Sequence, residues 1–311
     1  MVRVGRGRQG SKRGRSAVDV KPDLIVDAHQ HFLAPGRFEY PWLNDRLEPI
    51  ARAYAPDDLE PLLRASNVDR TVLVQAIHDL DETRWLLEIA ERTTWIAGVV
   101  GWVDLASGDT GSQLAALRES PGGELLVGIR HLAPDEPDPA WLTGTEVRRG
   151  LATLEAAGVP FDLLLRPREL PAAIELARAF PGLGFVVDHI AKPLVVAGRA
   201  AAGEWASGLA TLAREPNVCC KLSGLVTEAR WETWAVADLR PFVEHVFEAF
   251  GPERMVFGSD WPVCELAAGY DAVVGAAQAL TATLSASDRN AVFGGNAVSF
   301  YGLAATTASP A

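Results

Sequence analysis

Two histidines one residue apart, His29 and His31, close an apolar run that reads LIVDAHQHF from Leu24 to Phe32. Alternate side chains of a strand share a face, so both imidazoles are expected on one side with the Asp27 carboxylate beside them. Two imidazoles so placed suit one shared cation and leave coordination positions for water. A strand that simply ends in surface histidines is the competing reading. Against it, three of the other four histidines stand in comparable places: His78, His131 and His189 each follow a short Val/Ile/Leu-rich run, and only His245 sits within a helical stretch. Asp260, in VFGSDWP, follows one more such run with Trp261 beside it.

The elements that must position these residues can be read from hydrophobic periodicity. Strands are expected at Leu24 to Ala28, Arg70 to Gln75, Trp95 to Trp102, Leu125 to Arg130, Phe161 to Leu165, Gly184 to Asp188, Asn217 to Leu222 and Arg254 to Gly258. Amphipathic stretches alternate with them, beginning with Asp57 to Asn67 and Asp81 to Arg92 and ending with Tyr270 to Thr283 and a segment from Asp288 to Gly302. Eight strands, each followed by a helix, is the count of an α/β fold of the (β/α)8 TIM-barrel kind, in which all C-terminal strand ends share one face. A doubly wound sheet would need a glycine-rich phosphate turn after the first strand, where this chain has histidines. One domain over residues 21–304 is expected, preceded by a leader, 1–20, and followed by a tail, 305–311.

On that face, His29, His31, His189 and Asp260 make a mononuclear set for Zn2+ or another divalent cation, one per chain, with a position left for water. A carboxylate beside an acidified water can take its proton, which makes Asp260 the candidate general base, with His189 and Arg130 as catalytic partners. The fifth strand ends LLLRP, without Lys or His, which argues against a second metal bridged by a modified lysine. Arg130, Arg166 and Lys192 add positive charge suited to an anionic or oxygen-rich substrate and to a tetrahedral oxyanion. Gln75, His78, Trp102, His131, Ser223 and Trp261 are strand-end residues expected to touch substrate or to cap the barrel. Phe38, Tyr40 and Trp42, in the long loop after the first strand, either wall a pocket or form a capping cluster.

The 311 residues, 48% hydrophobic, suffice for a large core. Formal charge is −11, yet residues 1–18 hold six of the 29 basic residues and no acid, leaving 23 basic against 40 acidic, a formal −17, in the remainder. Such a body is a poor partner for nucleic acid or an anionic membrane. The leader, without apolar periodicity, is expected to be a disordered tail or an upstream start-codon extension rather than a nucleic-acid arm. No apolar run approaches the ~20 residues of a membrane span and no secretory h-region precedes the first strand, so a cytoplasmic location is the default. The three cysteines, Cys219, Cys220 and Cys264, form no C-x-x-C and are expected as buried apolar residues.

As a set, DAHQHF, VQAIHDLDETRWLLEIA, GIRH, VVDHIAKP, CCKLSGL, VFGSDWPV and GNAVSFYGL resemble the amidohydrolase superfamily, and within it the sugar-lactonase branch of L-fuconolactonases, L-rhamnonolactonases and sulfomuconolactone hydrolases. The resemblance runs from about Leu24 to Gly302. It implies a barrel hydrolase that opens a lactone of a sugar acid or related small acid. It also implies metal-ligand and general-base positions at His29, His31, His189 and Asp260, and substrate contacts at Arg130 and Lys192. Metal is not uniformly required in this branch and its pyrone-dicarboxylate relatives, so the cation is dispensable in part of it. Two rivals remain at this point: a metal-dependent decarboxylase of the same superfamily, and a barrel that binds small acids without chemistry. The partner expected is a small-molecule lactone or sugar acid; a homo-oligomer is compatible with all of this.

Overall fold

Eight short parallel strands form the centre of the computed structural model, which describes residues 24–304; the leader and the tail expected from the sequence lie outside the described residues. The strands are β1 (Val26–Gln30), β2 (Arg70–Val74), β3 (Ile96–Gly101), β4 (Leu126–Leu132), β5 (Phe161–Leu164), β6 (Phe185–Val187), β7 (Val218–Leu222) and β8 (Met255–Phe257). They pair in chain order. The first and last meet just past β8, where His31 N donates to Trp261 O at 2.7 Å and Asp260 N to His29 O at 2.8 Å, so the sheet rolls into a (β/α)8 barrel.

The principal helices are α1 (Pro56–Ala65), α2 (Leu80–Arg92), α3 (Thr110–Glu119), α4 (Thr145–Ala157), α5 (Leu170–Ala179), α6 (Gly203–Leu212), α7 (Val236–Phe250), α8 (Tyr270–Leu280), α9 (Ala286–Asn290) and α10 (Asn296–Tyr301). In α2 the local causes are plain: the Asp79 side chain caps the first turn by accepting from Asp81 N and Glu82 N, and Leu86, Leu87 and Ala90 form the buried stripe. The final segment, expected from Asp288 to Gly302, divides into two short helices. A π-helical turn at Ala291–Gly295 separates α9 from α10, where Gly294 lies against the Leu24 carbonyl with no room for a Cβ. No helix among the described residues is long and apolar enough to cross a membrane.

Two apolar layers position the site. An outer layer packs strands against helices, and an inner one, including Val26, Ala28, Val72, Val74, Val186 and Val256, fills the barrel and is sealed below by Ala297, Val298 and Tyr301 of α10. In β1 the period-two pattern changes phase. Ala28 faces the interior, so strict alternation would send His29 and His31 outward with Asp27; a break in the β1–β2 register between Asp27 and Gln30 turns the histidines inward instead. Asp27 therefore does not stand beside them. Its carboxylate faces outward and accepts from Tyr270 of α8 at 3.0 Å and from Ser259 N at 2.8 Å.

Candidate active site

Above the inner layer, three imidazoles turn the same nitrogen to one point. His31 Nδ1 donates to Val74 O at 2.7 Å, which leaves its Nε2 with a lone pair, and His189 Nδ1 lies 2.9 Å from Ser223 Oγ. His29 Nε2 lies 3.2 Å from His31 Nε2. The Asp260 Oδ1 atom is 3.5 Å from His31 Nε2, 3.7 Å from His189 Nε2 and 3.8 Å from His29 Nε2. Ligands of a tetrahedral zinc stand about 3.3–3.5 Å apart, and His29, His31 and Asp260 stand close to that spacing. Asp260 Oδ2 is buried and has no partner among the described residues, as expected of an atom reserved for a ligand. His29, His31 and Asp260 fit a divalent cation; His189, 3.7 Å from Asp260, falls in a second group with His29 and Asp188.

The backbone is bent to achieve this. Asp260 has φ 62°, and His189, Ile190, Ala191 and Lys192 follow one another in the left-handed region, with φ 53°, 47°, 61° and 46°. Each non-glycine residue there costs roughly 1–2 kcal/mol, a strain that clusters at functional sites. Two glycines make room: a Cβ on Gly258 would lie 2.6 Å from His29 Cβ, and one on Gly224 would overlap the His189 ring.

Beneath the histidines lies a layer of buried charge. The Lys221 ammonium, fully buried, contacts Asp162 Oδ2 at 2.6 Å, Asp188 Oδ1 at 3.0 Å and His29 Nδ1 at 3.1 Å. Arg130 places Nη1 3.1 Å from Asp188 Oδ2 and 3.2 Å from His29 Nε2, and its Nη2 donates to the Gln75 carbonyl. Burial opposes ionisation of Asp188, but Lys221, His29 and Arg130 outweigh it and hold the carboxyl well below its usual range. Burial likewise lowers all three histidines, keeping them neutral with lone pairs available. It works against the Asp260 anion too, yet His189, His31 and Lys192 overcome it and bring that group to about 2.

The site opens into a cavity of about 620 Å³ whose lining includes His31, Arg130, His189 and Asp260 at its buried end and Arg166 and Lys192 nearer solvent. Lys192 Nζ lies 3.4 Å from Glu228. Other expected substrate contacts stand elsewhere. Trp261 is wholly buried, with its indole N–H on Glu265 and its ring against Phe32 and Tyr54, so it belongs to the core. Gln75 is fully buried behind Arg130, and its amide donates to the Arg130 carbonyl at 3.2 Å. His78, Trp102 and His131 do not line the cavity. They stack beside it with Trp141, His131 lying 3.9 Å from both His78 and Trp141 between ring centroids. Of the early aromatics Trp42 lines the cavity, whereas Tyr40 is buried and Phe38 packs on Trp85.

Lys221, Asp188 and Asp162 were not singled out in the sequence. Each is a charged residue inside an apolar strand run, in VCCKL, FVVD and FDLL, and such a residue signals a buried partner of opposite sign.

A model of the amidohydrolase family matches residues 26–303. An L-fucono-1,5-lactonase of Burkholderia ambifaria is 41% identical over 281 residues, 89% of this chain and 94% of its own length. A second L-fucono-1,5-lactonase, from Burkholderia multivorans, is 39% identical over 90% of this chain and 96% of its own. The crystal structure of an amidohydrolase from Burkholderia multivorans with bound zinc superposes with a TM-score of 0.85 at 38% identity, covering 90% of this chain and all of that one. Sequence, barrel and matched length agree: the chain belongs to the amidohydrolase family.

Proposed function

We propose that this protein hydrolyses the lactone of a sugar acid, with Asp260 as general base. The observation that carries the reading is the Asp260 carboxylate: it is ionised, faces three neutral imidazoles, keeps one oxygen unpartnered and sits at the buried end of a cavity. The relatives named as L-fucono-1,5-lactonases, at 39–41% identity over about nine-tenths of the chain, supply the substrate class.

A carboxylate with so low a pKa is a weak base toward ordinary water. A divalent cation, zinc and one per chain, held by His29, His31, His189 and Asp260 would lower the pKa of water toward neutrality and polarise a carbonyl. Asp260 takes the proton as the water oxygen attacks the lactone carbonyl carbon. Charge then builds on the former carbonyl oxygen, where Lys192 and the Arg130 guanidinium supply positive potential. On collapse the ring C–O bond breaks, the proton passes from Asp260 to the departing alkoxide, and the product is the open hydroxy acid. Asp188 and Lys221 touch no substrate; they hold His29 and Arg130 in register.

A panel of 1,4- and 1,5-sugar lactones in a lightly buffered pH indicator tests the reading. Acid release from at least one 1,5-lactone is expected. No release from any lactone, together with carbon dioxide from a carboxylated phenol, would replace it with the decarboxylase alternative. Elemental analysis is expected to find one zinc per chain, and chelation to remove activity that zinc restores. Full activity after chelation would leave Asp260 and the cationic groups to work alone.

A further inference from the structure

A hexonolactone has about a dozen non-hydrogen atoms, whereas cavities of roughly 300–1,000 Å³ enclose drug-sized ligands. At about 620 Å³ the cavity here has room for a second ring. Its outer half also differs in character from its buried end. Trp42 and Trp231 line it, each with its indole N–H already spent on a main-chain carbonyl, Ala76 O at 2.8 Å and Thr227 O at 2.9 Å. Both indoles are thus fixed in place and offer only ring surface. The Arg46 guanidinium lies 4.4 Å from the Trp231 ring centroid and widens that platform. Leu194 and Val196, 59% and 45% exposed, are the large apolar side chains left in solvent among the described residues, and both line this same mouth. Asn44 and Glu228 stand among them as hydrogen-bonding groups.

Flat aromatic surface interspersed with polar groups is what a pyranose ring requires, since its C–H faces are apolar and its edge carries hydroxyls. We infer that the mouth is a second sugar subsite, and that the preferred substrate is a glycosylated sugar lactone whose lactone ring reaches Asp260 while its outer sugar rests on Trp231 and Trp42. The inference rests on the lactonase reading for its chemistry, but not for the existence of the subsite.

The test compares a hexono-1,5-lactone that the protein hydrolyses with its 4-O-glycosyl derivative, in the native chain and in Trp231→Ala and Leu194→Ser/Val196→Ser. The native chain is expected to favour the glycosylated lactone about tenfold in kcat/KM, through KM. Each variant should lose most of that preference and keep its rate on the simple lactone. Equal kcat/KM for the two lactones in the native chain, or an equal loss on both in Trp231→Ala, would overturn the subsite. Calorimetric titration with gluconate and with 4-O-glycosyl gluconates decides the matter without turnover. Tighter binding of a glycosylated acid, removed by Trp231→Ala, supports the subsite even if no lactone is opened, whereas indifference to the second sugar in that titration refutes it.

Discussion

Three groups of two histidines and one carboxylate occur among the described residues; that of His29, Asp188 and His189 shares His29 with the first of two whose composition alone does not tell them apart. One is His29, His31 and Asp260; the other is His78, His131 and Glu136. In the first, His31 Nδ1 is held by main chain, the nitrogens that face one another are Nε2, and one carboxylate oxygen is unpartnered. In the second, the imidazoles are stacked 3.9 Å apart at 20°, so their ring planes run side by side rather than converging. His78 Nε2 accepts from Leu132 N at 2.9 Å, and His131 uses both nitrogens, accepting from the Trp102 indole at 3.2 Å and donating to Glu136 at 2.9 Å. The first group keeps the His31 Nε2 lone pair and one Asp260 oxygen for a ligand, although Arg130 and Lys221 approach His29; the second has spent its lone pairs on its neighbours. Cation competence depends on where lone pairs point more than on which residues meet.

The support below the groups differs as well, and the largest expected effect probes it. Lys221→Met removes the cation between Asp162 and Asp188 and leaves two buried carboxylates exposed to one another. A loss of about 3–5 kcal/mol in chemical denaturation is expected. Glu136→Gln, at the half-buried end of the other group, should cost less than about 1 kcal/mol. Equal losses would mean that the ionic layer is no more structural than a surface pair.

Catalysis should separate the two carboxylates next. Asp260→Asn keeps shape but cannot accept a proton, and kcat on the accepted lactone should fall by ~10²-fold or more with the melting temperature little changed. Glu136→Gln should retain most of the native rate. An Asp260→Asn enzyme with more than about a tenth of native activity would remove the base from the mechanism.

Metal content sharpens the contrast further. His31→Ala is expected to emerge without stoichiometric zinc, whereas His131→Ala should hold as much as the native chain by elemental analysis. Loss in the second variant would show that stacked imidazoles also bind.

The smallest effect concerns Glu82, which ties down the turn leading to His78 by accepting from Ala76 N at 3.0 Å and Ile77 N at 3.1 Å. Burial, partly offset by those two hydrogen bonds, pushes its carboxyl up to about 8. A carboxyl raised in the folded state binds its proton more tightly than in the unfolded chain, so its contribution falls as pH rises from about 5 to 8. Glu82→Gln should flatten the decline in folding free energy across that window; an unchanged slope would place the titration elsewhere.

How much of this was legible in the chain follows from the reach of each signal. All eight strands lie where the apolar runs put them, because a parallel barrel buries both faces of a strand and writes that into local composition. His189 and Asp260 were visible as polar residues just past such runs. The phase change in β1 was not, since a bulge depends on the partner strand's register and leaves no mark in LIVDAHQHF. The stacking of His78 and His131 was equally hidden: a histidine at a strand end reads the same whether its ring meets a cavity or another ring. Arg166, just past an apolar run, lies at the cavity mouth, while Trp261, next to Asp260 in sequence, turns into the core because neighbouring side chains diverge.

The hydroxyl of Tyr301, on the helix that seals the barrel from below, donates to Asp162 Oδ2 at 2.7 Å, and its ring lies 5.6 Å from the Lys221 ammonium. During synthesis, then, the strands that carry Asp162, Asp188 and Lys221 emerge well before the residue that completes their layer. The contact that completes this layer spans 139 residues of sequence, and the loop-closure cost of so distant a pair is expected to make it one of the later contacts to form.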